Sequence, residues 1–322
     1  MLGTETKKRK KVKTKIPSDD QGTEIAEEQQ TSVLEEIKAE KEIAAATSQA
    51  VSEIPDGEEK NEEEKTENSG DYSAFARFAD ILDTDEKTIL EECRLFQAKK
   101  ILSKVSRAVV RYGLTNMQVK AMVHNASVTE LGGIAVSPAY LKDVAVHLKD
   151  KAYIKVCSVI DFPFGESSFK VKTSEMKNSV KKGVDGILVV FNASEISKEK
   201  TAVIKKQLKK IGKIKGVQKG VAVSAEDIEK EDLKRFLHLT EKFVDYAAFL
   251  FGNVSIDQLN AKMKEINGYK GKIAVKVMAN VENIFGVKTL IKSGVDEIIT
   301  PYADEIAKEL FKEFDINSVK LV

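Results

Sequence analysis

The sequence predicts an α/β protein in which eight parallel strands close into a (β/α)8 barrel, preceded by a charged extension and a helical lead-in. Three observations lead there. Short apolar runs alternate with amphipathic segments at a regular beat from about residue 107 to the end. The stretch Tyr153–Asn192 reads as one complete right-handed βαβ unit. Eight such strands fall in about 210 residues, a number and spacing that suit closure into a barrel. An open doubly wound sheet is the alternative, but no glycine-rich dinucleotide fingerprint follows any strand.

In chain order, residues 1–71 form the first region. The full chain has 322 residues and a net charge of +1, yet its parts are unequal. Residues 1–70 hold 18 acidic and 11 basic side chains, a balance of −7, which leaves +8 for the remainder. Lys7–Lys15 (KKRKKVKTK) has the density of a nuclear-localisation or nucleic-acid patch. The acids that follow it and the lack of any aromatic for base stacking favour a solvated tail instead, and nucleic acid is not the expected partner. Gly22–Gly70 has too little apolar content to offset its ordering entropy, so disorder is expected. Val33, Leu34, Ile37 and Ile43 could support a partner-induced helix, which makes residues 1–71 a tether or a docking tail for a protein partner.

Residues 72–106 are expected to be a helical lead-in packing on the barrel, with the helical pattern running from Tyr72 as far as Arg111. Phe75, Phe78, Ile81 and Leu82 make one face, Ile89 to Phe96 a second, and Ile101, Leu102, Val105 and Val109 continue it. The barrel itself is assigned to residues 107–322. Its expected strands are Arg107–Gly113, Gly133–Ser137, Tyr153–Ile160, Asp185–Asn192, Lys219–Ser224, Asp245–Phe251, Ile273–Met278 and Asp296–Thr300. Between them lie helices such as Pro138–Lys149, Lys170–Lys182, Ser194–Ile211, Asp227–Phe243, Ser255–Ile266, Val281–Ser293 and Ala303–Phe314. In Lys170–Lys182, Val171, Met176 and Val180 are expected to face the sheet, and Gly183 to close the helix. Pro163 and Gly165 end the preceding strand and aim its turn.

Several function classes fall away. No apolar run approaches the ~18 residues of a membrane span and no signal peptide is present, so a soluble cytoplasmic protein is expected. Cys93 and Cys157 lie in apolar-patterned segments and read as free thiols. His124, His147 and His238 lack metal-ligand spacing. Neither a serine nucleophile elbow nor a phosphate-binding Walker loop occurs. No metal and no cofactor is expected. Lys205–Lys219 reads as a solvated charged face, or a surface for an acidic partner.

From about Thr115 to Phe314 the order of short motifs resembles the deoxyribose-phosphate aldolases. Ile134–Leu141 (IAVSPAYL) is similar to the family's second strand, and Cys157–Gly165 (CSVIDFPFG) to its third strand with the phenylalanine-proline-x-glycine loop. Glu175–Lys177 with Gly183–Asp185, then Val275–Lys276 and Gly294, follow in the family's order. The resemblance implies a TIM barrel of the class I aldolase type, a small carbonyl or sugar-phosphate ligand, and a homo-oligomer. It also implies Schiff-base chemistry, in which one lysine attacks a carbonyl, a second lysine keeps the first neutral, and an aspartate relays protons.

Carried over by position, the resemblance puts the Schiff-base lysine at Ala248 and the relay aspartate at Leu188, and retains only the assisting lysine, Lys276. The phosphate loops fall on Ala279–Asn280 and Pro301–Tyr302, where proline offers no N–H. Candidate ligand contacts are Phe162, Pro163, Gly165, Asn192, Asn280 and Thr300. The expected function is an aldolase-like barrel that has lost Schiff-base catalysis and binds or regulates. The alternative is an active class I aldolase, an aldehyde-lyase cleaving a sugar phosphate with Lys276 as its amine.

Overall fold

The computed structural model describes residues 86–148, 154–226, 228–316, 319 and 321. The expectations for residues 1–85 lie outside the described residues.

Eight parallel strands close into a barrel in sequence order. They are β1 (Val105–Val109), β2 (Gly133–Val136), β3 (Val156–Ile160), β4 (Gly186–Val190), β5 (Gln218–Ser224), β6 (Tyr246–Leu250), β7 (Ala274–Met278) and β8 (Glu297–Thr300). The helices are α1 (Glu86–Leu102), α2 (Asn116–Val128), α3 (Leu141–His147), α4 (Phe169–Lys181), α5 (Thr201–Gly212), α6 (Lys230–Thr240), α7 (Ile256–Asn267), α8 (Ile284–Lys292) and α9 (Ala303–Glu313). This is the (β/α)8 TIM barrel that strand–helix alternation predicts.

Strand alternation divides each strand between two cores. Val105, Ile134, Ile160, Ile187, Val189, Val221, Phe249, Val275 and Ile298 face the helices in the larger core. Ala108, Ala135, Val159, Leu188, Ala222, Ala248, Met278 and Ile299 fill the lumen. Because both faces are covered, the strands read as continuous apolar runs, and this is why they were legible from sequence.

Three expectations need correction. The helical pattern does not run to Arg111: α1 stops at Leu102, and Val105 and Val109 belong to β1. Apolar residues four apart suit a helix face, but Val105, Arg107 and Val109 also share one face of a strand. Arg107 there reaches Asp304 of α9 at 3.3 Å. Secondly, α4 turns Lys172, Met176 and Ser179 inward, whereas Val171 is 47% exposed. Val180 is only partly buried against the helix-side core. The inward-facing lysine, invisible to a hydrophobic pattern, sets the helix rotation. Thirdly, the helical segments expected from Pro138 and Ser194 begin as short 3-10 turns, Pro138–Tyr140 and Ala193–Glu195, before α3 and α5.

Candidate active site

Three neighbouring strands place the residues that the sequence singles out. Ala248 of β6 is the register partner of Lys276 on β7, and Lys276 is the register partner of Glu297 on β8. Ala248 is fully buried and contributes only a methyl group to the lumen. The Lys276 side chain turns away from Ala248 toward the amino-terminal end of the barrel. There it forms an ion pair with Glu297 and lies 4.0 Å from the centre of the Tyr246 ring. Tyr246 is paired with Ala274, one inward step lower than Lys276.

This lower layer is a connected polar plug. The Ser106 hydroxyl donates to Glu297 Oε1 at 2.6 Å. Tyr246 donates its hydroxyl hydrogen to the Ile187 carbonyl at 3.2 Å, and its oxygen lies 3.3 Å from Cys157 Sγ. Desolvation in the lumen pushes the Cys157 thiol up to about 11. Desolvation, with Cys157 as the next contributor, also holds the Tyr246 phenol well above its ordinary value. Gly220 of β5 makes room for the ring, since a Cβ there would stand 2.1 Å from it.

Above Lys276, toward the carboxyl ends of the strands, the lumen is apolar. Leu188, Val190, Leu250, Met278 and Ile299 are all buried, and Phe162 packs on the same cluster. None offers a nitrogen or oxygen from its side chain. Leu188, which the resemblance in sequence matches to a relay aspartate, is fully enclosed in this cluster.

The β3–α4 loop is held by a buried cation. Lys172 Nζ, only 1% exposed, donates to the carbonyls of Gly165 at 2.7 Å and Val190 at 2.9 Å. It also sits 3.4 Å from Asp161 Oδ2 and 3.3 Å from Glu195 Oε2, with the Phe191 ring centre at 5.0 Å. Asp161 in turn accepts from the backbone N–H and the hydroxyl of Ser167. Burial, then the charge of Asp161, raises the Glu175 carboxyl nearby. Phe162 and Pro163 are joined by a cis peptide, and Pro163 is exposed. Gly165 has φ of 66°, and a Cβ there would meet the Phe191 carbonyl carbon at 2.6 Å. The Asn192 amide donates to the Phe164 carbonyl at 3.4 Å and its oxygen accepts from Ser194 N–H at 3.0 Å. The loop is therefore strapped to the end of β4.

The two loops that the resemblance in sequence matches to a phosphate site spend their groups internally. The Ala279 N–H donates to Ile299 at 3.1 Å. The Thr300 hydroxyl donates to the Val281 carbonyl at 2.9 Å and accepts from Tyr302 N–H at 3.2 Å. Asn280 is exposed at the rim. Two cavities of about 340 and 330 Å³ lie beside α9 and α1, away from the mouth.

Among the described residues, no group of histidine, cysteine and acidic side chains could hold a metal ion, and no helix is long and apolar enough to cross a membrane. Cys93 and Cys157 are free thiols. Sequence reasoning missed Tyr246, Glu297 and Lys172. Its available signal was polarity inside a buried element: a tyrosine and a glutamate in strand runs, and a lysine on the inward stripe of α4.

No protein-family model matches the chain. A deoxyribose-phosphate aldolase of Mycoplasmoides pirum is 28% identical over 198 residues, covering 60% of this chain and 89% of the relative. A second protein of that description, from Clostridioides difficile strain 630, is 26% identical over 213 residues, 65% of this chain and 96% of the relative. A solved structure described as "QR15, an Aldolase" superposes with a TM-score of 0.61 at 22% identity, over 68% of this chain and 99% of that one, which speaks for the fold. On a closed eight-stranded barrel, the chain is thus similar to the deoxyribose-phosphate aldolases along nearly the whole length of these relatives.

Proposed function

We propose that this barrel no longer performs Schiff-base aldol chemistry and serves as a binding or regulatory member of its family. The observation that carries the reading is the pairing of Ala248 with Lys276. By resemblance, a lysine amine stands at Ala248 in active members, beside the second ammonium that keeps it neutral. Here the first amine is replaced by a methyl group, and the remaining ammonium is engaged with Glu297. A carbonyl entering the lumen from the mouth would meet Leu188, Leu250 and Met278 before the Lys276 amine. At Leu188 no carboxylate is available to move a proton. The loops that would hold a phosphate offer an exposed Asn280 and a proline, Pro301, in place of a cradle of N–H donors.

Borohydride trapping tests this reading. The full chain is incubated with deoxyribose 5-phosphate or acetaldehyde, reduced, and examined by intact mass and peptide mapping beside an active aldolase. An unmodified chain is the expected result. A reduced adduct mapped to Lys276 would overturn it and establish the lyase alternative, with Lys276 as the amine.

A further inference from the structure

Positive charge on the barrel is concentrated in one stretch. Residues 161–219 hold 14 basic and 6 acidic side chains, a balance of +8, which equals the whole excess of residues 71–322. Twelve of the basic groups are exposed lysines on α4 and α5 and in the turns at their ends, against three exposed acids, Glu166, Asp185 and Glu199. The two helices stand side by side on the outer wall, since Lys210 Nζ of α5 lies 5.7 Å from the centre of the Phe169 ring of α4. Each turns one stripe to the barrel: Lys172, Met176 and Ser179 on α4, and Ile204, Leu208 and Ile211 on α5. The outward stripes are therefore basic, with Lys177 and Lys181 on α4 and Lys205, Lys206 and Lys209 on α5.

These lysines are not used within the fold. On other helices lysines find carboxylates: Lys234 pairs with Glu231, Lys262 with Glu265 and Lys288 with Glu313. Among the described residues none of the twelve forms an ion pair. Lys170 lies in the first turn of α4, and Lys198 and Lys200 lie immediately before α5, where the positive end of a helix disfavours a cation. Helix stability gives no reason for them. Apolar groups stand on the same wall at its mouth-side rim. Val171 (47% exposed) and Val203 (55%) are in the first turns of α4 and α5, and Phe164 (70%) is in the loop that leads into α4.

The residue types select the partner. No arginine occurs between Arg111 and Arg235. Arginine is favoured at the centres of protein interfaces and lysine is depleted there, so the wall does not have the composition of a protein contact. A nucleic-acid duplex would answer the charge and leave Phe164 and the two valines in water. A lipid surface uses both. Lysine is a strongly hydrated point charge on a long apolar stem, suited to diffuse attraction among anionic headgroups, while protruding apolar side chains enter the interface beside them. We propose that the α4–α5 wall is a peripheral contact surface for an anionic lipid bilayer, with Phe164, Val171 and Val203 as its shallow apolar anchors. Contact of this kind needs no membrane-spanning segment. It also stands apart from the aldol question, because Lys276 lies inside the barrel and takes no part in it.

Sedimentation of the full chain with vesicles supplies the test. One set is phosphatidylcholine alone, and the other is phosphatidylcholine and phosphatidylserine in equal parts. The expected result is binding to the second set only, weakened by salt. Lys198→Gln, Lys206→Gln, Lys209→Gln and Lys213→Gln together should lower the partition coefficient by about 100-fold or more. A control that removes the same charge elsewhere, at the exposed Lys264, Lys272, Lys292 and Lys308, should stay close to the parent. Phe164→Ser with Val203→Ser should weaken binding several-fold, and unchanged circular dichroism spectra establish that each variant is folded. Equal loss in the control would reduce the effect to net charge and overturn the proposal. Full binding by the α5 variant would assign the attraction to Lys7–Lys15 and overturn it too. So would full binding by the Phe164 and Val203 variant, or a chain that ignores both vesicles yet retains a duplex oligonucleotide or polyglutamate through these lysines.

Discussion

Lys276 and Glu297 stand as register partners on adjacent strands, and their ion pair occupies the lower lumen beside the Tyr246 ring. The pairing holds Lys276 away from the barrel mouth and gives the lumen a polar floor under an apolar ceiling. Each partner is largely buried, with side-chain exposures of 14% and 23%, so each protects the other from an uncompensated charge.

Breaking that pair one side at a time should therefore be costly. Lys276→Met or Glu297→Gln is expected to lower stability by about 2–4 kcal/mol, somewhat less than for a fully enclosed pair. Lys276→Met combined with Glu297→Leu should recover most of the loss, because no charge is then stranded. Urea unfolding of the three variants measures this. Additive losses in the double variant would show that the pair is not the coupled unit described.

Lys172 is ion-paired with both Asp161 and Glu195 and donates to two carbonyls at once. Lys172→Met keeps the stem but removes the ammonium, and a loss of about 3–5 kcal/mol is expected. The defect should be local first. Limited proteolysis is expected to cut near Phe162–Ser168 faster than anywhere else in the barrel, and protection equal to the parent's would count against the strap.

Gly220→Ala puts a methyl group where the Tyr246 ring lies. Overpacking of this kind costs about 1–3 kcal/mol. In a Tyr246→Leu background the same substitution should cost far less, since the ring is gone. Thermal unfolding of the four-member cycle reads the coupling directly. Equal costs in both backgrounds would mean that the ring does not set the requirement for glycine.

The Cys157 thiol is raised from 9.0 to about 11 by desolvation. A folded-state value above the unfolded one favours the neutral thiol in the fold. Its contribution to stability is therefore complete below pH 9 and is lost as pH rises toward 11. Alkylation of Cys157 at pH 8 should be slow in the native chain and accelerate in urea. Peptide-resolved iodoacetamide labelling checks this, and equal rates in both states would contradict it.

The strands were legible because both faces of a parallel barrel strand are buried, so Gly186–Val190 and Tyr246–Leu250 read as apolar runs without reference to any contact. β1 was expected too late, at Arg107–Gly113 instead of Val105–Val109, since Val105, Arg107 and Val109 satisfy a helical spacing and a strand face equally well. The inward face of α4 was misjudged for a related reason. A hydrophobic pattern assigns Val171 to the core, yet four partners make burial of Lys172 acceptable, and none of them is local in sequence except Gly165.

By itself the sequence determined the barrel, the order of its elements, and which positions lack a nitrogen or carboxylate: Ala248, Leu188 and Pro301. Periodicity and residue identity are local properties, and they suffice for that. Only the tertiary structure decided that Lys276 is bound to Glu297, that Tyr246 lies beneath it in the space left by Gly220, and that Lys172 straps the β3 loop to β4. Those contacts join residues on different strands and depend on the stagger of strands in a closed barrel. Their physical cause is the cost of leaving a buried charge unpaired, which selects partners by distance in space and not by distance along the chain.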